Sequence, residues 1–192
     1  MITITLQSKK EYYEATFPEN WEELSMYKFQ QILKHEECSD LKFLEILSGI
    51  EEEKLSRCET KSVLWLIMQL REQFSIEKLD ELSKEKLMSF ECEGESYEIT
   101  PDLGNSTIGE YYSILKIEDG IEKKQYQLFP LFLATLYRPK GEEYDNKKCL
   151  ERVEKFNSLP VTIFYRARNF FLFLQEISKI NIQAYGEQNQ AA

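Results

Sequence analysis

Two short tracts of strict alternation, separated and followed by long stretches of helical periodicity, restrict this chain to an α+β architecture. At the start, Ile2, Ile4 and Leu6 alternate with Thr3, Thr5 and Gln7, the two-residue period of a half-buried strand. Tyr12 to Phe17 returns as its hairpin partner after Lys9 and Lys10. Farther on, Met88, Phe90 and Cys92 alternate with Ser89, Glu91 and Glu93, and Tyr97 and Ile99 resume the pattern beyond Gly94. That spacing predicts a second, central hairpin. The pattern allows the two hairpins to share one sheet or to stand apart.

Elsewhere the apolar residues recur every three or four positions. Ser25 caps a helix expected over 26–34, with Phe29, Ile32 and Leu33 at helical spacing. Ser39 caps the next, which carries Leu41, Leu44 and Leu47 and ends at Gly49. A small helix over 51–57 precedes a longer one from Thr60 through Phe74, whose expected apolar residues are Val63, Leu64, Ile67, Met68 and Leu70. The charged stretch 75–86 is helical around Leu79 and Leu82.

Residues 102–106 read as a turn, after which Thr107 and Glu110 form a capping box for a helix bearing Ile108, Tyr111, Tyr112 and Leu115. A further helix over 121–137 contains Pro130, which either kinks it or starts its apolar half at Leu131. Arg138, Pro139, Lys140 and Gly141 end that helix, a shorter one spans about 149–156, and Pro160 opens a final helix reaching roughly Ile180. The expectation is a mainly helical single body over residues 1–182, with a flexible tail over 183–192.

Charge narrows the partners. The net charge is −10, and it is uneven: residues 1–137 carry 15 Lys or Arg against 27 Asp or Glu, whereas 138–192 carry 9 against 7. An acidic surface repels a phosphate backbone, and no dense basic stripe offsets it, so direct nucleic-acid binding is not expected. The mildly basic last part suits the acidic region of a neighbouring copy. Cys38, Cys58, Cys92 and Cys149 are widely spaced without a CxxC pair, which favours reduced, buried thiols over a disulfide framework. MITITLQSKK lacks the pattern of a secretion signal, and the most apolar stretch, 164–182, is interrupted by Arg166, Arg168, Asn169, Gln175, Glu176 and Lys179. A soluble intracellular protein is expected, with no membrane partner.

Catalytic signatures are weak. His35 and Cys38 are spaced for two ligands at a helix end, yet a structural zinc site needs four and this is the single histidine of the chain. Glu91, Glu93, Glu95 and Glu98 offer paired carboxylates, but their alternation with apolar residues equally describes a wet sheet face. Gly104, Gly109 and Gly120 form no phosphate loop, and Ser113 lacks a nucleophile elbow. No enzymatic activity, cofactor or metal is expected; the alternative is a hydrolytic enzyme using an acidic cleft.

The final helix concentrates aromatic surface. Phe164, Tyr165, Phe170, Phe171 and Phe173 surround Arg166 and Arg168, more than one small core is expected to absorb. Tyr137 and Arg138, beside Pro139 and Tyr144, form a second aromatic and guanidinium set. The expected protein-binding residues are therefore Tyr137, Arg138, Phe164, Arg166, Arg168, Phe171 and Phe173, with an internal core helix and an internal ion pair as the structural alternatives.

WEELSMYKFQQILK at 21–34 and FLEILSGIEEEKL at 43–55 resemble the opening of small tail-assembly proteins of double-stranded DNA bacteriophages. FPLFLATLYRPKGEEY at 129–144, then RVEKFNSLPV and the aromatic helix, is similar to larger versions of such proteins. The resemblance is diffuse over about 20–175. It implies a nonenzymatic tail assembly chaperone or adaptor in the host cytoplasm, binding a phage structural protein such as the tape measure protein or neighbouring copies of itself. The central hairpin and the long aromatic helix keep a permanent ring or neck component of the virion as a variant.

Overall fold

The computed structural model describes residues 1–9, 11–35, 39–99 and 107–190, with side chains to residue 176. Overall 58% is helical, and the described residues form two small antiparallel sheets, an α+β fold. Its contacts divide into two compact units, Met1–Leu82 with Asn157–Thr162 and Ser83–Phe156 with Ile163–Ala192. The expectation of one continuous body over 1–182 thus meets a finer division.

In the first unit, β1 (Ile2–Gln7) and β2 (Tyr12–Phe17) pair antiparallel, with Ile2 opposite Phe17, Ile4 opposite Ala15 and Leu6 opposite Tyr13. This register puts Leu6, Ala15 and Phe17 on one buried face. Five helices follow among the described residues: α1 (Met26–Lys34), α2 (Asp40–Ser48), α3 (Glu52–Leu55), α4 (Thr60–Gln73) and α5 (Ile76–Leu82). The hydroxyl of Ser25 accepts the Lys28 N–H and that of Ser39 accepts the Lys42 N–H, so both expected caps are formed. Gly49, at φ 78°, closes α2 in the left-handed region and donates its N–H to the Glu45 carbonyl.

Phe17, Leu24, Met26, Leu44 and Leu47 are sealed from solvent. The Trp21 ring meets Phe29 and Phe74 edge-on at 5.5 and 5.1 Å, and its Nε1 donates to the Ser75 carbonyl at 3.1 Å. The distant segment 157–162 completes this unit. Met26 N–H donates to the Leu159 carbonyl at 2.8 Å, Tyr27 N–H to Asn157 at 3.0 Å, and Val161 N–H to Leu24 at 2.9 Å.

Helix α4 buries Val63, Ile67 and Leu70 as expected, but Leu66 takes the inward place expected of Leu64 and Met68. Val63, Leu66, Ile67 and Leu70 are buried, while Leu64 and Met68 point out beside Trp65. Residues 63, 66, 67 and 70 follow the i, i+3, i+4, i+7 stripe of an amphipathic helix, and that stripe outcompetes the alternative.

In the second unit, β3 (Ser89–Cys92) and β4 (Glu95–Ile99) form the expected central hairpin. Glu93 and Gly94 connect them at φ 52° and 79°, the doubly left-handed turn whose twist matches paired strands. A third strand, β5 (Tyr137–Pro139), pairs with the other edge of β4, so the sheet order is β3-β4-β5. The two hairpins therefore lie in separate sheets.

The remaining elements are α6 (Ile108–Glu122), a 3₁₀ turn at Tyr126–Leu128, α7 (Phe129–Leu136), α8 (Asn146–Phe156) and α9 (Val161–Gln190). The helix expected over 121–137 is thus two, and Pro130 sits in the first turn of α7, where its missing N–H leaves no bond unmade. The Thr107 hydroxyl caps α6 by accepting the Glu110 N–H at 3.2 Å. Helix α9 is continuous to Gln190, beyond its expected end near 180. The turn expected over 102–106 lies outside the described residues.

Candidate functional site

The seven residues expected to bind a partner all fall in the second unit, where most have internal partners instead. Phe164 and Phe171 are buried. Phe164 stacks on Phe129 at 3.9 Å between ring centroids, and Phe132 packs edge-on against Phe164 and Phe171 at 5.7 and 5.6 Å. Helix α7, apolar nearly all round, supplies packing partners for these rings of α9. Unmet packing at Phe164 and Phe171 is thereby corrected: they are core.

Tyr137 is likewise buried, and its hydroxyl donates to the Leu87 carbonyl at 2.6 Å. Burial holds its phenol proton well above the ordinary range. Arg138 pairs with Glu110 inside the unit, and its guanidinium also lies 5.9 Å from the Tyr144 ring centre. The ion pair takes Glu110 away from the return contact of the expected capping box. Arg168 grips Oε1 of Glu118, with its Nε at 2.7 Å. Arg166 lies 3.7 Å from the Glu85 carboxylate. Phe173 alone among the seven is an exposed ring, with the Lys86 ammonium 4.2 Å from its centre.

The candidate chemical groups are spread apart. Glu91, Glu93, Glu95 and Glu98 are exposed on the hairpin. Glu95 is engaged: it accepts the Tyr97 hydroxyl and lies 3.4 Å from Lys155 Nζ, and the Tyr97 hydrogen bond leads in lowering its carboxyl pKa. Lys155 is also 3.1 Å from the Tyr97 hydroxyl, whose hydrogen bond raises the ammonium pKa. Arg152 meets both oxygens of Glu142 at 2.6 and 2.7 Å. Through Lys155, α8 is held against β4. His35 is exposed at the end of α1, whereas Cys38 lies outside the described residues. Cys58, Cys92 and Cys149 are buried free thiols, and burial raises the pKa of each. No cluster of three or more metal-ligating side chains occurs among the described residues.

Open apolar surface lies in the first unit, on residues outside the expected set. A groove of about 450 Å³ is lined by Trp21, Phe29, Leu33, Phe43, Phe74 and Ile76, with His35 and Arg71 as ionisable members of its wall. Arg71 pairs with Asp40. Ile76 is exposed within this groove. Separately, α4 presents Leu64, Trp65 and Met68 at 52%, 58% and 69% exposure. The signal for that second surface was available in the spacing: once 63, 66, 67 and 70 are taken as the core stripe, 64, 65 and 68 are left facing out.

No helix among the described residues is long and apolar enough to cross a membrane. No protein-family model, curated protein or solved structure significantly matches this chain.

Proposed function

We propose that this chain is a nonenzymatic assembly protein of a tailed double-stranded DNA bacteriophage, a tail assembly chaperone or adaptor that acts in the host cytoplasm. Its partner is another phage structural protein, such as a tape measure protein. The observation that supports binding is the groove of the first unit, where aromatic and aliphatic side chains line an open space of about 450 Å³. A concave, mostly apolar wall of this kind suits the apolar face of an amphipathic helix, whose anchors recur every three or four residues. Charge defines the flanks of that helix. Residues 1–82 carry 10 Lys or Arg against 17 Asp or Glu, so basic residues beside the anchors are favoured. The phage setting rests on the resemblance across 21–34, 43–55 and 129–144.

The test is copurification of the tagged chain from infected cells, followed by mass measurement of intact complexes. The expected result is one phage structural protein at fixed stoichiometry, lost on Ile76→Glu while the helical circular dichroism is retained. Absence of any complex rejects the reading, as does a complex indifferent to Ile76→Glu. Recovery of the chain at fixed copy number from purified virions reassigns it to a ring or neck.

A further inference from the structure

The outward face of α4 has an order that the groove does not share. Lys61, Trp65, Met68 and Glu72 recur at intervals of four, three and four residues, the spacing of a coiled-coil seam. At 100° per residue they lie within about 60° of one another around the helix, and the two charges are about 16 Å apart along it. All four side chains are exposed, with Leu64 and Gln69 flanking them. Lys61 and Glu72 make no ion pair with any described residue. The stripe is therefore apolar in the middle, positive at one end and negative at the other.

Such a stripe is complementary to itself when reversed. We propose that α4 is a self-association face whose occupant is a second copy of this chain, packed antiparallel across a two-fold axis between residues 66 and 67. In that register Lys61 of each copy meets Glu72 of the other, Trp65 of each meets Met68 of the other, and Leu64 lies against Gln69. A parallel arrangement would instead set Lys61 against Lys61 and Glu72 against Glu72. The opposite end charges thus select the antiparallel dimer as well as attract it. Three large apolar side chains per copy make a contact smaller than the roughly 1,200 Å² of a standard stable interface, so the dimer belongs to the weak, concentration-dependent class. The end pairs remain near solvent, which makes association sensitive to salt.

The test is sedimentation velocity on the full chain over a wide concentration range, with charge-reversal variants. The expected result is a monomer–dimer equilibrium that Trp65→Ala abolishes with no change in circular dichroism. Lys61→Glu and Glu72→Lys should each weaken dimerisation by at least about tenfold, because each places like charges at both ends of the seam. The double variant restores dimerisation, and an equimolar mixture of the two single variants forms a mixed dimer. A chain that stays monomeric at its solubility limit overturns the proposal. So does a dimer that is indifferent to Trp65→Ala, or one that the double reversal fails to restore. Capture of a different protein on this face by a chain that remains monomeric also overturns it. None of these outcomes involves Ile76, so the groove reading stands or falls separately.

Discussion

Glu118 uses one oxygen for two bonds. Its Oε1 accepts from both Nε and Nη2 of Arg168, while its buried Oε2 has no hydrogen-bond partner among the described residues. Arg168→Ala leaves that carboxylate desolvated without its cation, and the expected loss is roughly 1.5–3 kcal/mol in urea unfolding. Adding Glu118→Gln to Arg168→Ala removes the stranded charge and recovers part of the loss. No loss of stability in Arg168→Ala would show that the pair is structurally idle. Tyr137 contributes to the response to alkali. Burial raises its phenol pKa above the ordinary value of 10.0, so the folded chain keeps a proton that the unfolded chain releases. Stability from this group is complete below about pH 10 and falls as pH rises above it. Tyr137→Phe is expected to flatten that alkaline fall while lowering stability at neutral pH, since the Leu87 carbonyl loses its donor. Unfolding curves at neutral and alkaline pH would check both signs.

Among the elements, the β3–β4 hairpin carries a visible local mismatch. Glu93 occupies a left-handed position at φ 52°, where asparagine is favoured ahead of glycine. Its contact with Lys155, at 3.6 Å and 70% exposed on the glutamate side, contributes little. Glu93→Asn should therefore raise stability by about 0.5 kcal/mol, read as a higher Tm. Most elements were legible where their ends are chemically marked. Ser25 opens α1, and Ser39 and Gly49 bracket α2, because a cap is a local bond between neighbours in sequence. Features decided by distant partners were not legible. The three residues of β5 are too few for a period and become a strand only because β4 offers an edge. The Glu110 side chain leaves its box for Arg138, 28 positions away. The burial of Phe164 and Phe171 depends on α7, whose start is marked by Pro130 in its first turn rather than by a local cap bond. The groove is not legible in the sequence because its walls come from five separate stretches of chain, none of them unusual alone.

For the whole molecule, the division into two units does not follow one cut in the sequence. Residues 1–82 supply most of the first unit, yet segment 157–162 takes up the N–H groups of Met26 and Tyr27 that a helix start leaves without intrahelical partners. A fragment ending at Leu82 is expected to show fast hydrogen exchange at Met26 and Tyr27 and a lower Tm than the full chain. Equal protection in the fragment would show that the return segment is dispensable. That returning segment also has a consequence in time. At about 5–20 residues per second, a ribosome that has finished residue 82 needs roughly 4–16 s more to deliver the last piece of the same unit. Through that interval the nascent N-terminal half waits unfinished, its helix entrance uncovered, and a holding chaperone has its longest opportunity to engage it.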